Sequence, residues 1–134
     1  MSRRTIRENV FKLVYETGVC GAVNDITVEM VTQNIDQADK VYFDEVFYGI
    51  VSKKGELEEV IKRYAHSYQF DRLYKVDIAI LLVAIYEIFY VIDIPYKVSA
   101  NEAVELAKAY STEKSASYIN GILSSVIKNM EENK

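Results

Sequence analysis

Between Leu73 and about Val91 the chain is apolar nearly all round, and from Ile78 onward the one charge that interrupts the run is Glu87. A helix with no wet face has to be wrapped by other helices, so this segment reads as the central pillar of a bundle. Its greasiest part, Ile78 to Ile92, is bounded by Asp77 and Asp93 and falls short of the ~18 to 20 apolar residues that a membrane span requires. Five Gly and one Pro in 134 residues disfavour a loop-rich or all-β fold, which needs many turn residues. Half of the residues are hydrophobic, enough for one core. The expectation is an all-α, compact helical bundle of about seven helices, forming a single domain over residues 1–134.

Apolar residues recur at helical spacing along most of the chain. Ile6, Val10, Leu13 and Val14 mark a first helix that should end near Gly18. Residues 24–35 give a weaker signal, being rich in β-branched side chains. Phe43, Val46, Phe47, Ile50 and Val51 mark a third helix, expected to stop near Lys54 and Gly55. Leu57, Val60, Ile61, Tyr64 and Tyr68 then share one face of a fourth. After the central segment, Pro95 breaks the chain. Ser99-Ala-Asn-Glu102 reads as a capping box, with Ser99 as the N-cap and Glu102 reaching back. Ala103, Leu106, Ala107 and Tyr110 lie on the helix it opens. Ile119, Ile122, Leu123, Val126, Ile127 and Met130 give the last helix the cleanest stripe.

Groups for catalysis are scarce. The one histidine, His66, has no second His nearby, and the one cysteine, Cys20, has no adjacent base, so neither a usual zinc site nor an activated thiol can be assembled. Neither GxGxxG nor GxxxxGKS occurs. No reaction and no cofactor are expected. The first residues, Met-Ser-Arg-Arg-Thr-Ile-Arg, lead into no apolar stretch, so no secretory leader and a cytoplasmic location are expected. The formal net charge is -4, which means that a nucleic-acid partner would need a local basic patch.

Two groups of residues have the chemistry of a binding surface. Arg3, Arg4 and Arg7 open the first helix, where cations oppose the helix dipole unless something anionic sits beside them. The plainer reading is a solvated charge run. Lys108, Tyr110, Lys114 and Tyr118 surround the last interhelical turn; interleaved aromatics and lysines can stack bases and hold phosphates, or both tyrosines can simply pack. Glu87 also leaves two readings open: it pairs with a basic residue inside the protein, or it reaches the surface where a partner completes it. Gly121 interrupts a strong helical pattern, which close approach of a helix or ligand, or simple tolerance, would explain.

Several strings together resemble the NusB family of bacterial transcription antitermination factors. They are Arg3-Arg4-Thr-Ile-Arg7-Glu8 followed by Leu13-Val14-Tyr15, and Asp77-Ile-Ala79-Ile-Leu81 followed by Ala84-Ile-Tyr86-Glu87. Ile94-Pro95-Tyr96-Lys97-Val98 then leads into Asn101-Glu102-Ala103-Val-Glu105-Leu106-Ala107-Lys108, with Ser115 and Asn120-Gly121 beyond. The resemblance covers essentially the whole chain. It implies two packed three-helix sub-bundles and a binding role, without catalysis, toward boxA-type single-stranded RNA of nascent transcripts. The implied partners are the ribosomal protein NusE and the transcription elongation complex, chiefly on ribosomal RNA operons, with no membrane involved.

Carried over by position, the resemblance gives Arg3, Arg4, Arg7, Tyr110, Tyr118 and Asn120 to the RNA side and Tyr15 and Glu87 to the ribosomal protein. It thereby favours surface use of the arginines and of Glu87. Lys114 joins the RNA side as a departure: some members carry an acidic residue there, and a lysine should strengthen attraction to phosphate. Leu82 stands where a basic residue is common. The alternatives are an accessory module of an RNA methyltransferase system, whose catalytic domain would have to be a separate chain, and a self-associating bundle in which a homodimer covers the arginines.

Overall fold

The computed structural model describes residues 2–66 and 69–133, and several of its helices begin at an identifiable cap. Helix α1 (Arg3–Cys20) starts because the Ser2 hydroxyl accepts the Thr5 N–H at 3.2 Å. It runs past Gly18 and stops at Gly21, whose φ of 81° is left-handed backbone and whose N–H closes on the Thr17 carbonyl at 2.8 Å. Asn24 caps the short α2 (Asp25–Thr32) by accepting from Ile26 and Thr27. The helical signal of residues 24–35 ends early, and Asn34 takes a left-handed φ of 65°.

Asp36 caps α3 (Gln37–Phe43), which passes through one π-helical turn, Asp44–Tyr48, directly into α4 (Gly49–Tyr64). The expected break at Lys54 and Gly55 is a kink rather than an end: Lys53 leaves helical geometry (φ -111°, ψ 17°), but the chain does not reverse. Tyr68, which the periodicity assigns to this helix, lies outside the described residues. A 3-10 turn, Phe70–Arg72, leads to α5 (Lys75–Tyr90).

Helix α5 is the pillar that its composition demands. Every residue from Ala79 to Ile88 is buried, and α1 and α4 pack on it together with α6 (Tyr96–Tyr110) and α7 (Glu113–Glu132). At Gly49 α4 comes so close to α5 that a Cβ would overlap the Tyr86 ring. One cluster of buried apolar side chains runs from Ile6 of α1 through α5 to Val126 of α7. From the first half of the chain α1, α4 and the π-helical turn pack on α5, and from the second half α6 and α7 do, with α2 and α3 set against α1.

The capping box is corrected. Pro95 occupies the N-cap, its fixed φ (-59°) suits a helix start, and the N–H groups of Val98 and Ser99 already close on its carbonyl. Ser99 is thus buried inside α6, and its hydroxyl is used elsewhere. Thr112 caps α7 by accepting the Ser115 N–H at 2.9 Å. Ile119, Ile122, Leu123 and Val126 of α7 form the buried stripe, with Ile127 and Met130 half-buried beside it. Gly121 faces solvent with nothing near a notional Cβ, so no helix of this chain explains it. Among the described residues no helix is long and apolar enough to cross a membrane.

Candidate nucleic-acid interface

Helical spacing turns the three arginines at the start of α1 toward three different neighbours. Arg7 falls three, four and seven residues before Val10, Phe11 and Val14, so it lies within the apolar stripe and points into the bundle. It is 5% exposed and meets Glu87 of α5, which is 0% exposed. The contact is two-pronged: Nε donates to Oε2 at 2.8 Å and Nη2 to Oε1 at 3.2 Å. The Tyr42 hydroxyl donates to Oε2, and Ser99 Oγ donates to Oε1 at 2.8 Å. Four donors therefore saturate one buried carboxylate. Burial disfavours the Arg7 charge, but the bonds to Glu87 more than restore it, and its pKa stands above the ordinary value. Burial, and then the Glu87 carboxylate, push the Tyr42 phenol well up.

This pair corrects two expectations. Arg7 and Glu87 are not surface groups; a charge in an apolar stripe is stable only when paired, and each is the other's partner. Neither is placed to touch RNA or a partner protein directly.

The remaining two arginines are outside. Arg3 lies over the Tyr42 ring, its guanidinium carbon 4.2 Å from the centroid. Arg4 is 74% exposed and gives Nε to Glu102 Oε1 at 3.0 Å; the same oxygen accepts from the buried Arg7 Nη1 at 3.3 Å. Arg4 also lines an open groove of about 650 Å³ with Asn101, Glu102 and Lys108 of α6 and with Ser117 and Asn120 of α7. The groove thus unites Arg4 and Asn120 from the sequence-derived set, and adds Glu102. Lys108 is balanced in part by Glu105, at 3.6 Å.

The turn residues divide. Tyr110 ends α6 at 40% exposed, with its ring 5.3 Å from Phe11 and Lys12 Nζ 5.5 Å from its centroid. A bond to Tyr110, offset in part by burial, raises the Lys12 pKa. The cation beside this aromatic therefore comes from α1, and neither Lys108 nor Lys114 is in that position. Lys12 was missed by the sequence reading, although Arg4, Glu8 and Lys12 form an i, i+4 row that pointed to it. Lys114 is exposed on the first turn of α7. Tyr118 is half-buried against the core. Behind the turn, Asp77 of α5 is buried and accepts from Ser111 Oγ and Ser115 Oγ, each at 2.7 Å, tying both ends of the turn to the pillar.

Tyr15 lies apart from these groups, 38% exposed, on the rim of a largely apolar groove of about 540 Å³. Val14, Ile50, Leu73, Ile78 and Leu82 line it, with Lys54 and Lys75 at its edge. Leu82, where the resemblance leads one to look for a basic residue, is buried and serves as part of the groove floor. Among the described residues no group of three or more His, Cys, Asp or Glu side chains is placed to hold a metal ion.

Comparison with known proteins gives one answer. A family model described as the NusB family matches residues 4–128. The transcription antitermination protein NusB of Finegoldia magna is 41% identical over 133 residues, covering 98% of this chain and 97% of that one. The solved structure of T. maritima NusB superposes with a TM-score of 0.88 at 32% identity, over 96% of this chain and 92% of that one. A structure of the antitermination factors NusB and NusE in complex with double-stranded RNA gives a TM-score of 0.82, over 95% of this chain and 96% of that one. At 23% identity this last likeness is one of fold.

Proposed function

The chain belongs to the NusB family, and from that membership we propose that it is a transcription antitermination factor binding boxA-type RNA together with the ribosomal protein NusE. Its place of work is the elongation complex on ribosomal RNA operons, in the cytoplasm, and its contribution is binding without a chemical step. NusE and RNA are what the solved complex of the fold relative holds.

The observation that carries the reading is that Arg4, Lys108 and Asn120, from three helices, line one open groove. Arg3, Lys114, Tyr110 and Tyr118 are the further RNA-side candidates, the tyrosines offering ring surface for stacking. Tyr15, at the mouth of the apolar groove between α1, α4 and α5, is the candidate contact for NusE. The groove also contains Glu102, Glu105 and Glu113, so general attraction to phosphate is weak. Binding then depends on a few placed cations, an amide and stacked bases, an arrangement that favours discrimination between sequences.

Fluorescence anisotropy with a boxA-type oligonucleotide and a scrambled control, with and without NusE, tests the reading. Tight binding of boxA, strengthened by NusE, is expected. Arg4→Ala should weaken both RNAs and lower the salt slope by about 0.7, the value for one phosphate of a single strand. Tyr118→Ala should narrow the gap between boxA and the control. Unchanged affinity in both variants removes this face as the RNA site.

A further inference from the structure

Arg3 and Arg4 stand at the positive end of the α1 dipole, and the first turn of α1 has no acidic residue of its own. Cations there destabilise the helix unless an anion is supplied from outside. The anion is Glu102 of α6. Its Oε1 is shared by two guanidinium groups of unlike surroundings, buried Arg7 at 3.3 Å and exposed Arg4 at 3.0 Å. Arg7 is itself clamped by Glu87, which Tyr42 and Ser99 complete. A continuous chain of bonds thus runs from the saturated carboxylate in the core, through Arg7 and Glu102, to a side chain that is 74% exposed.

We infer that Glu102 is a positioning residue for RNA binding: its carboxylate hangs Arg4 from the buried Arg7–Glu87 pair, so that the Arg4 guanidinium is held ready in the groove with Lys108 and Asn120. A free arginine on a surface samples many rotamers, and fixing a rotamer-rich side chain on binding costs affinity. Glu102 makes that restriction before RNA arrives. Only Nε of Arg4 is engaged with it, and the rest of the guanidinium remains open to a phosphate.

The inference rests on the RNA-binding reading above and makes a counter-intuitive claim about sign. On charge alone, removing an acidic residue from an RNA-facing groove strengthens binding. If Glu102 positions Arg4, removing its charge weakens binding instead. Glu105 is the comparison for charge alone: it lines the same groove and carries the same charge, and its ion pair is the exposed one with Lys108 rather than a bond to Arg4.

The experiment measures affinity for a boxA-type oligonucleotide in the full chain and in Glu102→Gln, Glu105→Gln, Arg4→Ala and Arg4→Ala/Glu102→Gln. Glu102→Gln should lose about twofold to tenfold, the cost of ordering one long side chain on binding, whereas Glu105→Gln, which takes the same charge out of the groove and frees Lys108, should bind more tightly than the parent. In the Arg4→Ala background, Glu102→Gln should cause no further loss. Two results overturn the inference while leaving RNA binding intact: Glu102→Gln binding at least as well as the parent, or a Glu102→Gln loss that persists without Arg4. The second would mean that Glu102 acts through the fold and not through Arg4. Failure of the parent chain to prefer boxA over a scrambled control would overturn the RNA-binding reading itself, and this inference with it.

Discussion

Helix α5 buries two carboxylates ten residues apart, and the protein solves the same problem at each in a different way. Glu87, in the last turn of the helix, is met by a guanidinium, a phenol and a hydroxyl arriving from α1, α3 and α6. Asp77 is met by two serine hydroxyls from either side of the α6–α7 turn. The reason lies in where each stands. Asp77 is in the first turn of α5, where unpaired backbone N–H groups and the helix dipole favour a negative charge. Neutral donors then suffice. Glu87, near the opposite end, has no such help and requires a full countercharge. The first arrangement locks a charged junction of four helices; the second pins a turn.

The largest expected effect follows from that contrast. Arg7→Ala leaves Glu87 buried with its countercharge gone, and unfolding in urea should show a loss of about 3–5 kcal/mol. Removing the pair together, with Arg7→Met and Glu87→Leu, should recover most of the loss, because no unpaired charge then stays buried and apolar packing takes the pair's place. A loss below about 1 kcal/mol for Arg7→Ala would mean that water reaches Glu87 in place of the arginine and that the pair is not what holds the junction. Asp77→Ala should cost less, about 2 kcal/mol, since it strands two neutral hydroxyls and no ion.

Alkaline pH separates the two sites next. Tyr42 is part of the Glu87 site, and its phenol is pushed up from the ordinary value of 10.0 by burial and by the carboxylate. A group whose pKa is raised on folding gives stability that is complete below the unfolded value and is lost as pH climbs above it. Stability should therefore hold up to about pH 10 and then decline, with Tyr42 contributing up to about 1.4 kcal/mol per pH unit. Tyr90, bonded to Glu56 and raised to about 12, adds to the decline. Tyr42→Phe should flatten the profile above pH 10, whereas Ser115→Ala at the other site should leave its slope alone. Thermal melts between pH 8 and 11.5 make the comparison.

Much of this was legible in the residues. The all-round apolar character of α5 announced a pillar, and the spacing of Ile119, Ile122, Leu123 and Val126 announced a buried stripe. Arg7 was legible too, since it sits in the row of Val10, Phe11 and Val14; a positive and a negative charge, each inside an apolar stripe, have their simplest satisfaction in one another. The resemblance to a family of binders pulled both toward the surface, and packing decided otherwise. Glu102 was hidden by a pattern that fits a capping box in every letter. Pro95 had already started the helix, which freed Ser99 for Glu87 and Glu102 for the arginines. The groove joining Arg4 to Asn120 depends on how α1, α6 and α7 meet, and no local pattern encodes that meeting.

The smallest effect is the most discriminating for the Asp77 site, because its two hydroxyls are not equivalent. Ser115 is buried, while Ser111 is half-exposed. Ser115→Ala should cost about 1–2 kcal/mol, since nothing can reach the vacated carboxylate oxygen. Water can replace the hydroxyl of Ser111, so Ser111→Ala should stay within about 0.5 kcal/mol of the parent. Its effect should appear in motion instead. Ser111 follows Tyr110 and precedes Thr112, the residue that caps α7, so cutting its tie to Asp77 frees the turn between the two helices. Amide hydrogen exchange at Ser111 and Ser115, whose N–H groups bond to the Ala107 carbonyl and the Thr112 hydroxyl, should then quicken while the amides of α5 keep their protection. Equal exchange in parent and variant would mean that Thr112 alone holds the turn, and that Asp77 is a core residue with no reach into the surface it lies beneath.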